Sequence, residues 1–512
     1  MHSSRIGSAV YLSAQIREIE ALSRAIPLMA RAGLAAAEYA RELLGEYGRS
    51  VLVLAGPGNN GGDAFEAATH LKQWFYRVAL VFTGDEHTLP PDALAALAKW
   101  REYGGQTYAV PPAALRPDLI IDGLFGIGLT RPLEGGYAEL IAGINRLPGP
   151  KLALDIASGI NADTGAVMGC ALRATHTITF IGLKPGLLTL DGPDYCGQLG
   201  GTFGAEISKK PGGAIRVAGL GLDFAMLPAS QGATTGPESL RSALAPRPLN
   251  FHKGNAGSVG VLGGASGMVG AAVLAGRAAL KLGAGKVFLG LLTDHPPCLD
   301  HTQPELMLRT PRDLLEAGVV TAFAVGPGMG TVKSAEQLMR EVLDAGVPLV
   351  LDADALNLIA SSKTLQTRLP KRSAPSVLTP HPAEAARLLG SSTAAVQADR
   401  IHAAVDIAQR YHAVVVLKGN GSVIAVPDGN WLINTSGNPG MASGGMGDAL
   451  TGMIASLLAQ GANAREAAAA AVWLHGAAAE SLAAEGQGPL GITASDVIDA
   501  ARTVANTVLR AP

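Results

Sequence analysis

Val51-Leu52-Val53-Leu54-Ala55-Gly56-Pro57-Gly58-Asn59-Asn60-Gly61-Gly62-Asp63 passes from an aliphatic run through a glycine-rich turn, and Ala64, Ala68, Leu71 and Phe75 then recur at helical spacing. An unbroken apolar run of this length reads as a strand buried on both faces, the habit of parallel sheets. Further runs at 78–82, 119–121, 152–156 and 177–180 alternate with alanine-rich helical stretches. The pattern is that of a doubly wound, Rossmann-like α/β domain. Ahead of it, Ile16, Ile19, Leu22 and Ile26 predict an amphipathic helix after Tyr11.

The turn formally contains GxGxxG at Gly56, Gly58 and Gly61. A nicotinamide dehydrogenase should carry an acid about twenty residues later. Asp85, the nearest candidate, comes too late and sits in a turn. Paired asparagines also add carbonyls and amides that a turn admitting only a pyrophosphate does not need. Asp122 opens a second post-strand turn, and Asp155-Ile156-Ala157-Ser158-Gly159 ends a third strand. Ligands of open α/β sheets collect at the carboxyl ends of strands. Asn60, Asp122, Asp155 and Ser158 are therefore expected to converge there. Amide, carboxylate and hydroxyl oxygens together suit a hard cation.

The alternation weakens between residues 197 and 248, a region holding Lys209-Lys210-Pro211-Gly212-Gly213 and Pro246-Arg247-Pro248. A boundary near 225–240 divides the chain into domains at 1–225 and 235–512. A second α/β series follows, with strands expected at 258–262, 286–291, 323–325, 349–351, 376–378, 414–417 and 423–426. Its strongest signal is Gly437-Asn438-Pro439-Gly440-Met441-Ala442-Ser443-Gly444-Gly445-Met446-Gly447-Asp448, followed by an amphipathic helix bearing Leu450, Met453, Ile454, Leu457 and Leu458. Amides of Gly445–Gly447 would point from a helix N-terminus at an anion. Asp448 is placed to take a proton from a hydroxyl during phosphoryl transfer. No GxxxxGK[ST] occurs, which excludes a P-loop enzyme. Lys418-Gly419-Asn420-Gly421-Ser422 joins two strands and can wrap a phosphate. His381 stands between two prolines, a rigid setting that favours a ligand contact. Gly326–Gly330 and Asp352–Asn357 are further post-strand turns.

Composition narrows the function classes. Forty basic and 42 acidic residues give a net charge of -2, without a basic stripe, so neither nucleic acid nor an anionic membrane is an expected partner. Hydrophobic residues make up 48% and aromatics only 4%, which suits closely packed small side chains around a large core. Cys170, Cys196 and Cys298 are too scattered for a zinc site or a disulfide framework. Without a signal peptide or a run of about twenty apolar residues, a soluble cytoplasmic protein is expected.

Over nearly the whole chain these motifs resemble the bifunctional NAD(P)H-hydrate repair enzymes. GPGNNGGD at 56–63, DGLFGIGL at 122–129 and DIASG at 155–159 resemble the epimerase half. HKGNAGSVGVLGG at 252–264, DADALN at 352–357, TPHPAE at 379–384, LKGNGS at 417–422 and GNPGMASGGMGD at 437–448 resemble the ribokinase-like dehydratase half. The resemblance implies an N-terminal domain that epimerises hydrated NADH and NADPH (NADHX and NADPHX) with K+ held by Asn60, Asp122 and Ser158. Asn59, Asn60, Gly61, Gly62, Asp63, Gly126, Ile127, Gly128, Leu129, Thr130, Arg131, Pro132 and Asp155 would contact the substrate, with Asp155 as acid/base group. In the dehydratase half, Ala271, Gly328, His381 and Asp448 would hold the substrate. Lys418, Gly419, Asn420, Gly421, Ser422 and Gly447 would hold ADP, which is converted to AMP and phosphate with Mg2+ screening the phosphates. A homo-oligomer is also implied. Ala64, Ala157 and Met446 stand where the family usually has glycine, proline and serine. The rival reading, a ribokinase-like small-alcohol kinase fused to a non-catalytic Rossmann-like binding domain, leaves Asn60, Asp122, Asp155 and Ser158 unexplained.

Overall fold

The computed structural model describes residues 7–197 and 215–510, and the Lys209–Gly213 run lies outside them. The chain divides into two compact units, Ala9–Gln231 and Gly232–Pro512, the latter with residues up to Ser8. The Ser8 amide donates to the Thr234 hydroxyl at 3.0 Å, and the Thr234 amide donates to the Ser8 carbonyl at 2.9 Å. Residues 7 and 8 thus go with the second unit rather than with the first, where a domain starting at residue 1 had put them.

In the first unit seven parallel strands lie in the order Thr107–Tyr108, Arg77–Phe82, Ser50–Ala55, Leu119–Gly123, Lys151–Leu154, His176–Phe180, Ile215–Ala218. Counted from Ser50–Ala55 the order is 3-2-1-4-5-6-7, so it reverses between the first and fourth strands. A crevice opens at such a switch point. Helices Ser13–Leu22, Leu28–Leu44, Asn59–Gln73 and Pro91–Glu102 cover the face that carries Val51, Val53, Leu119, Ile121, Leu152 and Leu154. On the other face no helix follows Thr107–Tyr108. Leu52, Phe82, Val110, Leu140 and Ile144 line a cavity of about 790 Å³ there.

Two expectations shift. The helix after the glycine-rich turn begins at Asn59 instead of residue 64, because Gly58 is extended and its carbonyl accepts from the Gly62 amide at 3.2 Å. The turn residues Asn60 and Asp63 thereby become first-turn helical residues on one side. The N-terminal helix stops at Leu22, which is 65% exposed, and Ile26 lies in the bend before Pro27.

In the second unit the sheet runs Gly232–Thr234, Trp431–Ile433, Val423–Ala425, Val414–Leu417, Ser376–Leu378, Leu349–Leu351, Ala322–Val325, Ser258–Gly263, Lys286–Leu291, Met307–Arg309. Only Val423–Ala425 runs antiparallel to its neighbours here. The expected strands are all present. Gly232–Thr234, Met307–Arg309 and Trp431–Ile433 are additional, each three residues long and too short to show a period. Helix Ala464–Ala484 is buried along most of its length, with Ala467–Ala471 wholly inaccessible. Its small side chains let Ser436 approach so closely that a β-carbon on Gly476 would lie 2.3 Å from the Ser436 hydroxyl. No described helix is long and apolar enough to cross a membrane.

Candidate active sites

The first site lies at the switch point. The Gly56 amide extends the strand pairing to the Gly123 carbonyl at 3.1 Å. A β-carbon on Gly56 would lie 1.7 Å from the Leu124 carbonyl oxygen, so only glycine permits this approach. Asp122 is completely buried. Its Oδ1 accepts from the Ser158 hydroxyl at 2.7 Å and the Leu124 amide at 3.2 Å, while Oδ2 accepts from the Ser158 amide at 2.8 Å. The Phe125 amide donates to Ser158 Oγ at 2.9 Å. Burial pushes the Asp122 carboxyl up to about 6 against these hydrogen bonds. Asn60 is buried with its backbone carbonyl close to Gly123, and both its side-chain oxygen and nitrogen lack a protein partner. A buried amide left with neither bond is expected to meet a ligand or ion.

Asp155 follows the strand Lys151–Leu154 with a left-handed backbone, φ 67°. Lys184, wholly inaccessible, donates to Asp155 Oδ1. It also donates to Thr179 Oγ1 at 2.8 Å and to the Phe180 carbonyl at 2.7 Å. The other oxygen faces Gly126: a β-carbon there would lie 3.2 Å from Asp155 Oδ2 and 3.3 Å from Asn60 Cγ. Gly126, Asn60 and Asp155 therefore converge. Asp63 is held well above the ordinary carboxylate range, first by burial and then by the charges of Asp155, Glu20 and Glu66, with Lys184 opposing. Of the other expected contacts, Gly61 and Gly62 are buried in the first helical turn and Asn59 is exposed. Ile127 is half-buried and Leu129 buried, while Gly128, Thr130, Arg131 and Pro132 are exposed on the loop beyond Gly126.

The second site is built on helix Met446–Ala459. Gly445 enters it with φ 89°, and Asp448 stands in its first turn. Lys418 donates to Asp352 Oδ1 at 2.7 Å, and the Thr451 hydroxyl donates to Asp352 Oδ2 at 2.9 Å. Burial opposes the charge on Asp352, but the ammonium beside it and the Thr379 and Thr451 hydroxyls hold its carboxyl below the usual range. Burial and then Asp352 push Asp448 up to about 6, with Lys418 opposing. A β-carbon on Gly447 would lie 3.3 Å from Lys418 Nζ and 3.5 Å from Asp352 Oδ2, so the ion pair underlies the glycine loop. An anion above that loop would meet helix-terminal amides and a fixed ammonium together.

Gly328 and Ala271 adjoin, since a β-carbon on Gly328 would lie 3.3 Å from Ala271 Cβ. Ser422 Oγ accepts from the Gly419 amide at 3.2 Å and closes the 418–422 turn. Asn420 is exposed and Gly421 buried within it. His381 has a structural task that its place between two prolines does not announce. It caps helix Pro382–Leu389 with Nδ1 accepting from the Ala383 amide at 3.1 Å, and its amide donates to Glu384 at 2.8 Å. Its side chain remains 47% exposed beyond that cap. Met446 is buried, so it packs against the core rather than lining the loop.

Sequence reasoning missed Lys184, the Asp352–Thr451 contact and Arg400. The last is buried behind the 418–422 turn, with its guanidinium donating to the Leu417 and Lys418 carbonyls at 3.3 Å. A signal for Lys184 was present, a lone charge within the apolar run Ile181-Gly182-Leu183-Lys184-Pro185-Gly186-Leu187-Leu188.

Known proteins resemble both halves. Residues 259–502 match the family model for NAD(P)H-hydrate dehydratase, and residues 25–186 match that for the YjeF-related protein N-terminus. The bifunctional NAD(P)H-hydrate repair enzyme of Escherichia coli is 39% identical over 94% of this chain and 89% of its own length. That of Coxiella burnetii is 36% identical over 98% of this chain and all of its own. Among solved structures, an ADP/ATP-dependent NAD(P)H-hydrate dehydratase from Bacillus subtilis, co-crystallised with ATP and Mg2+, is 35% identical. It covers 53% of this chain and 97% of its own, with a TM-score of 0.49. With relatives matching along almost its full length, and with a Rossmann-order unit joined to a second α/β unit, the chain belongs to the family of bifunctional NAD(P)H-hydrate repair enzymes.

Proposed function

We propose that the first unit interconverts the two epimers of hydrated NADH and NADPH, and that the second dehydrates one of them at the expense of ADP. The observation that carries this reading is the pair of acids at the two crevices. Asp155 sits beside the unpartnered Asn60, and Asp448 sits at a helix N-terminus above the Lys418–Asp352 pair.

The lesion is a hemiaminal, so proton transfer at its hydroxyl opens or ionises the ring. Asp155 is the group that moves this proton in the first unit. In the second, Asp448 takes the hydroxyl proton as the phosphoryl group arrives. Loop amides and Lys418 stabilise the charge on the phosphoryl oxygens. Phosphate is then a good leaving group: the ring nitrogen expels it, and loss of a proton from the adjacent carbon restores the double bond.

Potassium fits the first site, because Asn60 offers a buried side-chain oxygen without a partner, and its backbone carbonyl lies close to Gly123, the residue after the buried Asp122. When bound it supplies positive charge that would balance Asp122 and anchor an oxygen of the ligand. For Mg2+ the described residues contain no group of three His, Cys, Asp or Glu that could hold it. We assign it no protein cage; the nucleotide would carry it in.

The deciding experiment mixes the protein with both NADHX epimers, K+, Mg2+ and ADP, and follows NADH absorbance. Recovery of nearly all the NADH is expected, and replacing ADP with ATP tests the nucleotide. Recovery that stalls near half refutes the epimerase assignment, and none with either nucleotide refutes the dehydratase assignment.

A further inference from the structure

We infer that Lys184 is the positioning residue of the epimerase site, engaging one oxygen of Asp155 so that the other alone meets the substrate. The inference rests on the proposed acid–base role of Asp155. An ammonium has three protons, and Lys184 has three acceptors, namely Asp155 Oδ1, Thr179 Oγ1 and the Phe180 carbonyl. It is inaccessible to solvent. No proton is left for a substrate, so Lys184 acts through Asp155.

The geometry of Asp155 completes the argument. Oδ1 is crowded on the sheet side, where the Thr179 hydroxyl and the Phe180 amide also approach it at 3.4 and 3.5 Å. Oδ2 is turned the other way, toward Gly126 and Asn60. The Asp155 amide donates to the Ile178 carbonyl at 2.7 Å, which ties the left-handed backbone to the sheet. Backbone and carboxylate are thus both fixed before substrate arrives. In the reaction, Oδ2 takes the hydroxyl proton of the hemiaminal and that carbon becomes a carbonyl. The carbon–nitrogen bond breaks, with its electron pair passing to the ring nitrogen and its conjugated amide. Closure on the opposite face of the carbonyl reverses each transfer and returns the proton from Oδ2, so the enzyme ends as it began.

The test compares Lys184→Met, Thr179→Val and Asp155→Asn in the full chain, measuring kcat and KM for epimer interconversion. Other charges face Asp155 from the helices around it, Glu20 and Asp63, and they remain in all three variants. Lys184→Met should lower kcat at least 100-fold with KM within about threefold. Thr179→Val, a smaller change, should lower kcat roughly three- to tenfold with KM again within about threefold, and it serves if Lys184→Met does not fold. Retained dehydratase activity and a retained K+-induced rise in Tm report an intact chain. Wild-type kcat in either the lysine or the threonine variant, with Asp155→Asn inactive, overturns the role of Lys184 and leaves that of Asp155 standing. An active Asp155→Asn overturns the reading of Asp155 itself, and this inference with it.

Discussion

Lys418 holds Asp352 at 2.7 Å beneath Gly447, with the ammonium 3.3 Å from where a β-carbon on that glycine would lie. One of its protons is committed to Asp352, and its charge sits directly under the glycine loop. The loop therefore has two sources of attraction for an anion, a helix N-terminus above and a fixed cation below. Asp352 keeps the cation from being a free, strongly hydrated one.

Replacing Asp448 separates the two activities. Asp448→Asn should lower the dehydration rate by about 10²–10⁴-fold, the usual contribution of a positioned acid–base group. Epimer interconversion should stay at the wild-type rate, as measured by chromatography of the two epimers. Dehydration at the wild-type rate would remove Asp448 from the mechanism.

The dehydratase should also lose activity in acid. Burial and Asp352 raise the Asp448 carboxyl to about 6, so it gains a proton as pH falls through that value and stops acting as a base. Asp352→Asn removes a negative neighbour. The midpoint of the acid limb should then move to lower pH, read from kcat profiles, even though the rate itself declines. A shift to higher pH would contradict the assigned coupling.

Potassium should stabilise the first unit. At a concentration about a hundred times its Kd, a ligand selective for the folded state adds roughly 2.7 kcal/mol. Thermal melting in potassium against a larger organic cation should show the rise, and Asn60→Ala should abolish most of it. Asn60→Ala should leave the melting temperature without potassium unchanged or higher, since it removes a buried amide with no partner.

Met446 gives a stability prediction with an internal control. Its side chain is buried at the start of helix Met446–Ala459. Met446→Ser should cost about 1.5–3 kcal/mol of burial, seen as a lower midpoint in urea. The nucleotide KM should stay within about twofold, because the amides of the loop remain. A tenfold fall in that KM would instead give the serine hydroxyl a direct part in binding.

Gly447→Ala tests the loop from the other side. The added methyl would crowd Lys418 Nζ and lie in ordinary contact with Asp352 Oδ2. An increase of about tenfold in the nucleotide KM is expected, with epimerisation unchanged.

Strands such as Ser50–Ala55 and Val414–Leu417 are legible in the sequence because burial on both faces writes itself as an unbroken apolar run. The contact of Asp122 with Ser158 is legible in outline, since Asp122 lies at the end of one strand and Ser158 follows the strand paired with it in register. Lys184 is not. Its meaning depends on meeting Asp155 across 29 residues, and nothing local announces the partner of a buried charge. His381 misleads for the opposite reason, because its closest partners are only two and three residues away and form a helix cap. The early start of helix Asn59–Gln73 is hidden because glycines usually end helices, whereas here they begin one against a close backbone.

Helix Ala464–Ala484 gives the protein an unusual vulnerability. Cores built from large side chains fail chiefly when a mutation removes atoms and leaves a hole. At Ala468–Ala471 and Gly476 themselves there is almost nothing to remove, and an added methyl at Gly476 would strike Ser436. Harmful changes at these small residues should therefore be gains of bulk, whereas the buried Trp473 and Leu474 between them remain open to loss. Selection for heat-sensitive variants would return valine, threonine and larger residues at these positions, on a helix that also carries the Ser436–Asn438 end of the glycine-rich loop.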